Sequence, residues 1–190
     1  CIGCNQACIG HFHLGYSISC IQNPVSGREH ELRQEPAVTG RKTVLVAGGG
    51  PAGMKAAVEA ASRGHRVILC EANRRLGGQA LLAQALPERA EFGGLVTNLE
   101  QELKHYAVEI RLGTPVDRAL VEALSADTVI VATGAVPFRP EIEADDSSYI
   151  VQAWDLLQGM AQARGRVLVT DWRCDWVGMG MAEKLVREGH

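Results

Sequence analysis

The sequence has no excess of basic charge. Its 190 residues hold 19 Lys and Arg against 22 Asp and Glu, a formal net charge of −3. Binding nucleic acid takes a cationic face and commonly aromatic platforms, and aromatics are only 5% of this chain. No nucleic acid is therefore expected as a partner. No apolar run is long enough to span a bilayer, and no stretch has the layout of a signal peptide. With thiols that read as reduced rather than bridged, this points to a cytoplasmic protein. Low-complexity tracts are missing, and so are repeats beyond two similar strand–turn–helix units. The first residue is a cysteine rather than a methionine, and the last predicted helix stops where another strand is expected. The chain thus reads as a fragment of a longer protein, with room for one domain or a domain and a half.

Cysteine is present, but unevenly placed. Of six cysteines, four fall in the opening segment, at Cys1, Cys4, Cys8 and Cys20. The other two, Cys70 and Cys174, lie in patterns that read as cytosolic α/β structure. Thiolates are soft, strongly donating ligands, and four of them suit an iron–sulfur cluster or zinc. The spacing matches neither ferredoxin pattern, and it lacks the paired CxxC of zinc ribbons. On ligand type the two metals are equal. A redox nucleotide fold downstream favours the cluster. His11 and His13 in the intervening loop read as polar loop residues rather than ligands.

The chain divides into three parts. Residues 1–39 lack periodicity and read as an irregular cluster-binding segment, ending in a polar connector from Arg28 to Gln34. Residues 40–150 read as a nucleotide-binding domain. Strands are expected at 43–47 and 66–70, both apolar throughout and so suited to a parallel sheet covered on both faces. Between them, 52–62 reads as an alanine-rich helix ended by Gly64. Phe92, Leu95, Val96, Leu99, Leu103 and Tyr106 share one face of an amphipathic helix. Further expectations are a strand at 108–112, a short helix at 119–124, a buried strand at 128–133, and a surface connection at 141–148. Residues 151–190 read as the start of a second unit. It has a strand at 166–170 and a helix at 177–188 with an apolar stripe of Met181, Ala182, Leu185 and Val186.

The first unit carries the more specific motif. Gly48, Gly50 and Gly53 form G-x-G-x-x-G between a strand and a helix. The first glycine permits the tight turn, the second lets pyrophosphate approach the backbone, and the third lets helix pack on strand. Pro51 and Ala52 open the helix, whose free N–H groups and partial positive charge favour phosphate. Glu71 ends the second strand and can accept hydrogen bonds from a ribose diol. No Gly-Lys-Ser/Thr follows, so this is not a Walker loop.

These runs resemble the iron–sulfur flavoprotein family of trimethylamine dehydrogenase, histamine dehydrogenase and bacterial 2,4-dienoyl-CoA reductase. The matching residues are Cys1-Ile2-Gly3-Cys4-Asn5-Gln6-Ala7-Cys8, then Cys20-Ile21-Gln22-Asn23-Pro24 with Gly27-Arg28-Glu29. They continue with Val46-Ala47-Gly48-Gly49-Gly50-Pro51-Ala52-Gly53, Gly77-Gly78-Gln79 and Ala132-Thr133-Gly134. The similarity spans essentially the whole chain and is nearest the N-methyl amino-acid demethylase branch. It implies an α/β fold in which a 4Fe-4S segment precedes a Rossmann-like FAD- or ADP-binding domain. It also implies an N-terminal (β/α)8 barrel holding FMN, outside this chain. The family match would place Gly48, Gly50, Gly53, Glu71, Gly78, Gln79, Ala132, Thr133 and Gly134 around the nucleotide. Cys1, Cys4, Cys8 and Cys20 would hold the cluster. The implied partners are a small-molecule amine substrate and an external electron-carrier protein, in a homo-oligomer. No residue here reads as a catalytic base.

The second unit departs from the reductase pattern. Asp171-Trp172-Arg173-Cys174-Asp175-Trp176-Val177-Gly178 stands where tight-turn glycines belong. Weak or absent NAD(P)H binding is expected there, with Trp172, Arg173 and Trp176 plugging the site. The alternatives are an NAD(P)H-dependent enoate reductase, or a zinc-stabilised nucleotide-binding module without catalysis.

Overall fold

The structure, a computed structural model, describes residues 1–32, 40–145 and 147–190. The end of the polar connector, the expected boundary at residue 39 and Asp146 of the acidic stretch lie outside the described residues.

The opening segment is a π-helical turn, Gln6–Gly10, followed by two short helices, α1 (His11–His13) and α2 (Glu29–Leu32). It is less irregular than expected, although none of these turns buries a residue. The nucleotide domain follows as β1 (Thr43–Ala47), α3 (Pro51–Ser62), β2 (Arg66–Cys70), α4 (Ala80–Gln84), α5 (Glu91–His105), β3 (Glu109–Arg111), α6 (Arg118–Leu124) and β4 (Thr128–Val131). Two helices complete the chain, α7 (Ala153–Leu157) and α8 (Trp176–Arg187). The strands form one parallel sheet in the order β3-β2-β1-β4.

The strand pattern produces two buried faces, because successive side chains point to opposite sides. Val44, Val46, Val67 and Leu69 face the layer that holds Met54, Ala57 and Val58 of α3 and Val96, Leu99 and Leu103 of α5. Leu45, Ile68 and Cys70 face the other way, against Leu120, Val121 and Leu124 of α6. Helix α3 ends as its sequence predicts. Gly64, at φ +91°, donates to Ala61 O, and the next amide, His65, donates to Ala60 O. This paired bonding after a left-handed glycine satisfies the last carbonyls of the helix.

Three expectations are corrected. The strand at 128–133 is shorter and is not buried: β4 is the sheet edge, and Val131 is 75% exposed. Among its residues only Ile130 packs, in part, against the layer of α3. Residues 166–170 form no strand, because no described strand lies beside them to complete a ladder; Leu168 is 85% exposed. In α8, Met181 and Leu185 are buried beside Leu86, whereas Ala182 and Val186 face outward. The helix packs through a narrower stripe that also uses Val177.

Candidate functional site

The glycine turn forms where β1 meets α3. Gly48 has φ +112°, and any Cβ there would overlap the carbonyl of Ala132 on the neighbouring strand connection. Its amide donates to Cys70 O at 2.8 Å, which fixes the turn to β2. Gly53 lies one helical turn on, and a Cβ there would overlap Gly48 O. The helix can therefore rest directly on the turn, as the motif predicts. Pro51 occupies the first helical turn of α3. Gly50 stands at the N-cap with no side chain to cap it, and no acidic residue lies in the first turn. This helix end presents amides and partial positive charge without an anion of its own.

Glu71 is the buried charged residue of the described chain, at 7% exposure. Its Oε2 accepts the Gly49 N–H at 2.7 Å. Its Oε1 accepts from the backbone and side-chain nitrogens of Asn73, at 2.7 and 2.8 Å. The carboxylate thus ties the glycine turn to the loop after β2. Oε2 keeps a further lone pair that can accept from a hydroxyl, whereas both lone pairs of Oε1 are taken by Asn73. Asn73 was missed in the sequence; a turn-forming residue two places after the acid was its only signal.

Two more loops converge here. The Gly77 amide donates to Gly49 O at 2.8 Å, and Gly78 lies against Gly50. Gln79 reaches from this loop to Ala135 O at 3.3 Å, beside Gly134. Ala132 is tied to Ala47 by its amide at 2.8 Å, with Thr133 next to it over Gly48. The structure therefore gathers Gly48, Gly50, Pro51, Ala52, Gly53, Glu71, Gly78, Gln79, Ala132, Thr133 and Gly134 at the carboxyl ends of β1, β2 and β4. Ligands of open parallel sheets bind at that edge. A cleft of about 640 Å³ leads from Pro51 and Gln79 to Trp176 and Met181 of α8.

The cysteines are less tightly gathered. All are free thiols; Cys1 is exposed, and Cys4, Cys8 and Cys20 are half-buried. The Ser19 amide donates to Ala7 O at 2.8 Å, so the chain before Cys20 lies beside the chain before Cys8. Among the described residues, no group of three or more His, Cys, Asp or Glu is arranged to hold a metal ion. The donor chemistry nevertheless suits a thiolate-bound cluster. The Gly3 amide donates to Cys1 Sγ at 3.4 Å, and backbone amides of Gln22 and Asn23 hold the Cys20 thiol below its ordinary range. Such amides stabilise sulfur as thiolate and tune it as a ligand. His11 serves the turn instead, with Nδ1 2.9 Å from Ser17 O.

The loop before α8 differs from the expectation of a plug. Trp172 is 68% exposed and fills nothing, and the Arg173 side chain points outward to pair with Asp175. Only Trp176 packs inward, stacked on Phe92 at 5.7 Å with the Arg89 guanidinium over its ring.

Residues 42–170 match the model of the pyridine nucleotide-disulphide oxidoreductase family. The chain belongs to that family. It is 44% identical over 165 residues to an NADH oxidase of Thermoanaerobacter brockii, an alignment covering 84% of this chain and 25% of that protein. It is 37% identical to the N,N-dimethylglycine/sarcosine dehydrogenase of Chromohalobacter salexigens, over 100% of this chain and 28% of that protein. Histamine dehydrogenase from Rhizobium sp. 4-9 superposes with a TM-score of 0.86 at 28% identity, covering 100% of this chain and 30% of that one. The resemblance to the histamine dehydrogenase family is thereby borne out. These relatives are oxidoreductases, and the chain spans under a third of their length. Among the described residues no helix is long and apolar enough to cross a membrane.

Proposed function

We propose that this chain is the electron-transfer part of an FMN/4Fe-4S oxidoreductase, an amine dehydrogenase or N-demethylase. In this reading, electrons taken from an amine by FMN in an N-terminal (β/α)8 barrel leave for an external carrier protein. The observation that carries it is the uncapped N-terminus of α3, framed by the glycine turn and the buried carboxylate of Glu71. That frame suits the pyrophosphate and ribose of FAD or ADP. Similarity to a dimethylglycine/sarcosine dehydrogenase along the whole chain supports the amine substrate.

Cys1, Cys4, Cys8 and Cys20 would hold the cluster, which when bound supplies one-electron transfer. Amides directed at Cys1 and Cys20 would stabilise the ligating thiolates. Gly48, Gly50 and Gly53 would admit the pyrophosphate, Glu71 would accept from the ribose, and Gly78, Gln79 and the 132–134 turn would close over the nucleotide. The test is extraction of the cofactors of the intact protein, identified by mass, with iron and acid-labile sulfide counts. FAD or ADP together with iron and sulfide is the expected result. Zinc without sulfide would overturn the cluster assignment, and absence of an adenine nucleotide would overturn the reading of the first unit.

A second reading, reduction by NAD(P)H, is favoured by the similarity to an NADH oxidase. The loop before α8 weighs against it.

A further inference from the structure

The chain that carries Cys20 is held from two sides. On one side, Ser19 donates its amide to Ala7 O at 2.8 Å, beside Cys8. On the other, Gly27 lies so close to Ile18 O that a Cβ there would overlap it. Gly27 has φ +76°, in the left-handed region that favours glycine. A run of turn bonds delivers it to that place. Asn23 Oδ1 accepts the Val25 N–H at 3.2 Å, Asn23 O accepts from Ser26 at 3.1 Å, and Val25 O accepts from Arg28 at 2.8 Å. Glu29, at the start of α2, accepts the Gly27 N–H at 3.1 Å. The loop from Cys20 to Arg28 thus returns onto the residues just before Cys20. Gly3 and Gly15 in the same segment are also left-handed, at φ +64° and +72°, yet a Cβ on either would meet nothing within 4 Å. What distinguishes Gly27 from them is the close approach, not the backbone conformation.

We propose that Gly27 is a positioning residue for the metal-binding thiolates: by resting on Ile18 O it sets how far the chain at Cys20 lies from the chain at Cys8. This rests on the reading of Cys1, Cys4, Cys8 and Cys20 as the ligands of a cluster. A side chain at position 27 would meet backbone, which cannot rotate aside as a side chain can. Either residues 18–20 must move off, or the turn at 23–28 must open. Moving residues 18–20 strains the bond from Ser19 to Ala7 and carries Cys20 away from Cys8. Opening the turn displaces the amides of Gln22 and Asn23, which hydrogen-bond the Cys20 sulfur. Amides directed at cluster sulfurs stabilise the extra negative charge of the reduced state, so displacing them lowers the reduction potential. Gly27 thereby acts on the cluster through Cys20 without touching it.

The test uses the full-length protein with its cofactors and compares the wild type with Gly27→Ala and Gly15→Ala. Both substitutions place a methyl group on left-handed backbone, and only the one at position 27 meets a neighbour. Iron, acid-labile sulfide and adenine nucleotide are counted per chain. The reduction potential of the cluster is read by a titration followed by electron paramagnetic resonance. Gly15→Ala is expected to match the wild type. Gly27→Ala should keep its nucleotide but lose at least about half of its iron and sulfide. Its remaining cluster should be harder to reduce by at least about tenfold, which is about 59 mV for one electron. Asn23→Ala removes the turn bond to Val25 without adding an atom, and should lower the potential in the same direction. A folded Gly27→Ala with wild-type iron, sulfide and potential would overturn the proposal. So would equal losses in Gly15→Ala and Gly27→Ala, or an unfolded Gly27→Ala together with an unshifted potential in Asn23→Ala. A wild type without iron and sulfide would overturn the cluster reading itself, which separates that failure from failure of the role given to Gly27.

Discussion

Two helices in this chain start after an extended segment and a loop, and their first turns are opposites. At α3 the N-cap is Gly50, no side chain caps the helix, and Gly53 lets it settle on the turn. At α8 the N-cap is Asp175, its carboxylate takes the Val177 amide, and Asp171 lies over Gly178. The same backbone device is left open for a ligand's anion in one place and closed by the chain's own anions in the other. The contrast teaches that the side chains around a helix end, more than the helix itself, decide whether it can bind phosphate.

The comparison breaks most severely at Gly53. Gly53→Val would drive a branched side chain into Gly48 O, which is backbone and cannot move aside. We expect a loss of at least about 3 kcal/mol and of the bound nucleotide, read by thermal melting and nucleotide content. The counterpart at α8, Gly178→Ala, meets the Asp171 side chain down to its Cβ, so the exposed loop must shift as well as the carboxylate. It should cost about 1–3 kcal/mol and leave nucleotide content unchanged.

Next in size is Glu71→Ala, which strands the Gly49 amide in a buried turn. About 2 kcal/mol should be lost, with weaker nucleotide retention, by denaturant melts and dialysis. Asp175→Ala removes the cap of α8 and should cost about 1 kcal/mol in denaturant melts without affecting the nucleotide.

The smallest effect lies away from both helix ends. A hydrogen bond from Arg111 holds the Glu109 carboxyl below the usual carboxylate range. A depressed pKa stabilises the fold above the unfolded-state value, and the gain disappears as pH falls through the lower folded-state value. Glu109→Gln should therefore change stability at neutral pH by only a few tenths of a kcal/mol, since the pair is solvent-exposed, and should flatten the acid limb of the pH–stability curve.

Much of this contrast was legible in the residues. The strands β1 and β2 are apolar throughout, so their burial on both faces followed from the pattern. Glycine spacing located the turn, and the acid ending β2 located Glu71. Helices α4 and α7 were not foreseen, being five residues each and held by packing rather than propensity. An apolar run cannot say whether its neighbours exist, so β4 was read as buried and residues 166–170 as a strand. Trp172 was read as a plug on bulk alone, when the loop turns it outward. The identity of the acids at α8 was plain in the sequence, but their hydrogen bonds to the loop and helix amides were not.

Native mass spectrometry of the intact protein tests the central claim most directly, by weighing the adenine nucleotide held on each chain. One FAD or ADP per chain is predicted in the wild type, unchanged in the double variant Asp171→Asn/Asp175→Asn and absent from folded Gly53→Val. A wild type without the nucleotide, or a folded Gly53→Val that keeps it, would contradict the assignment of the open helix end.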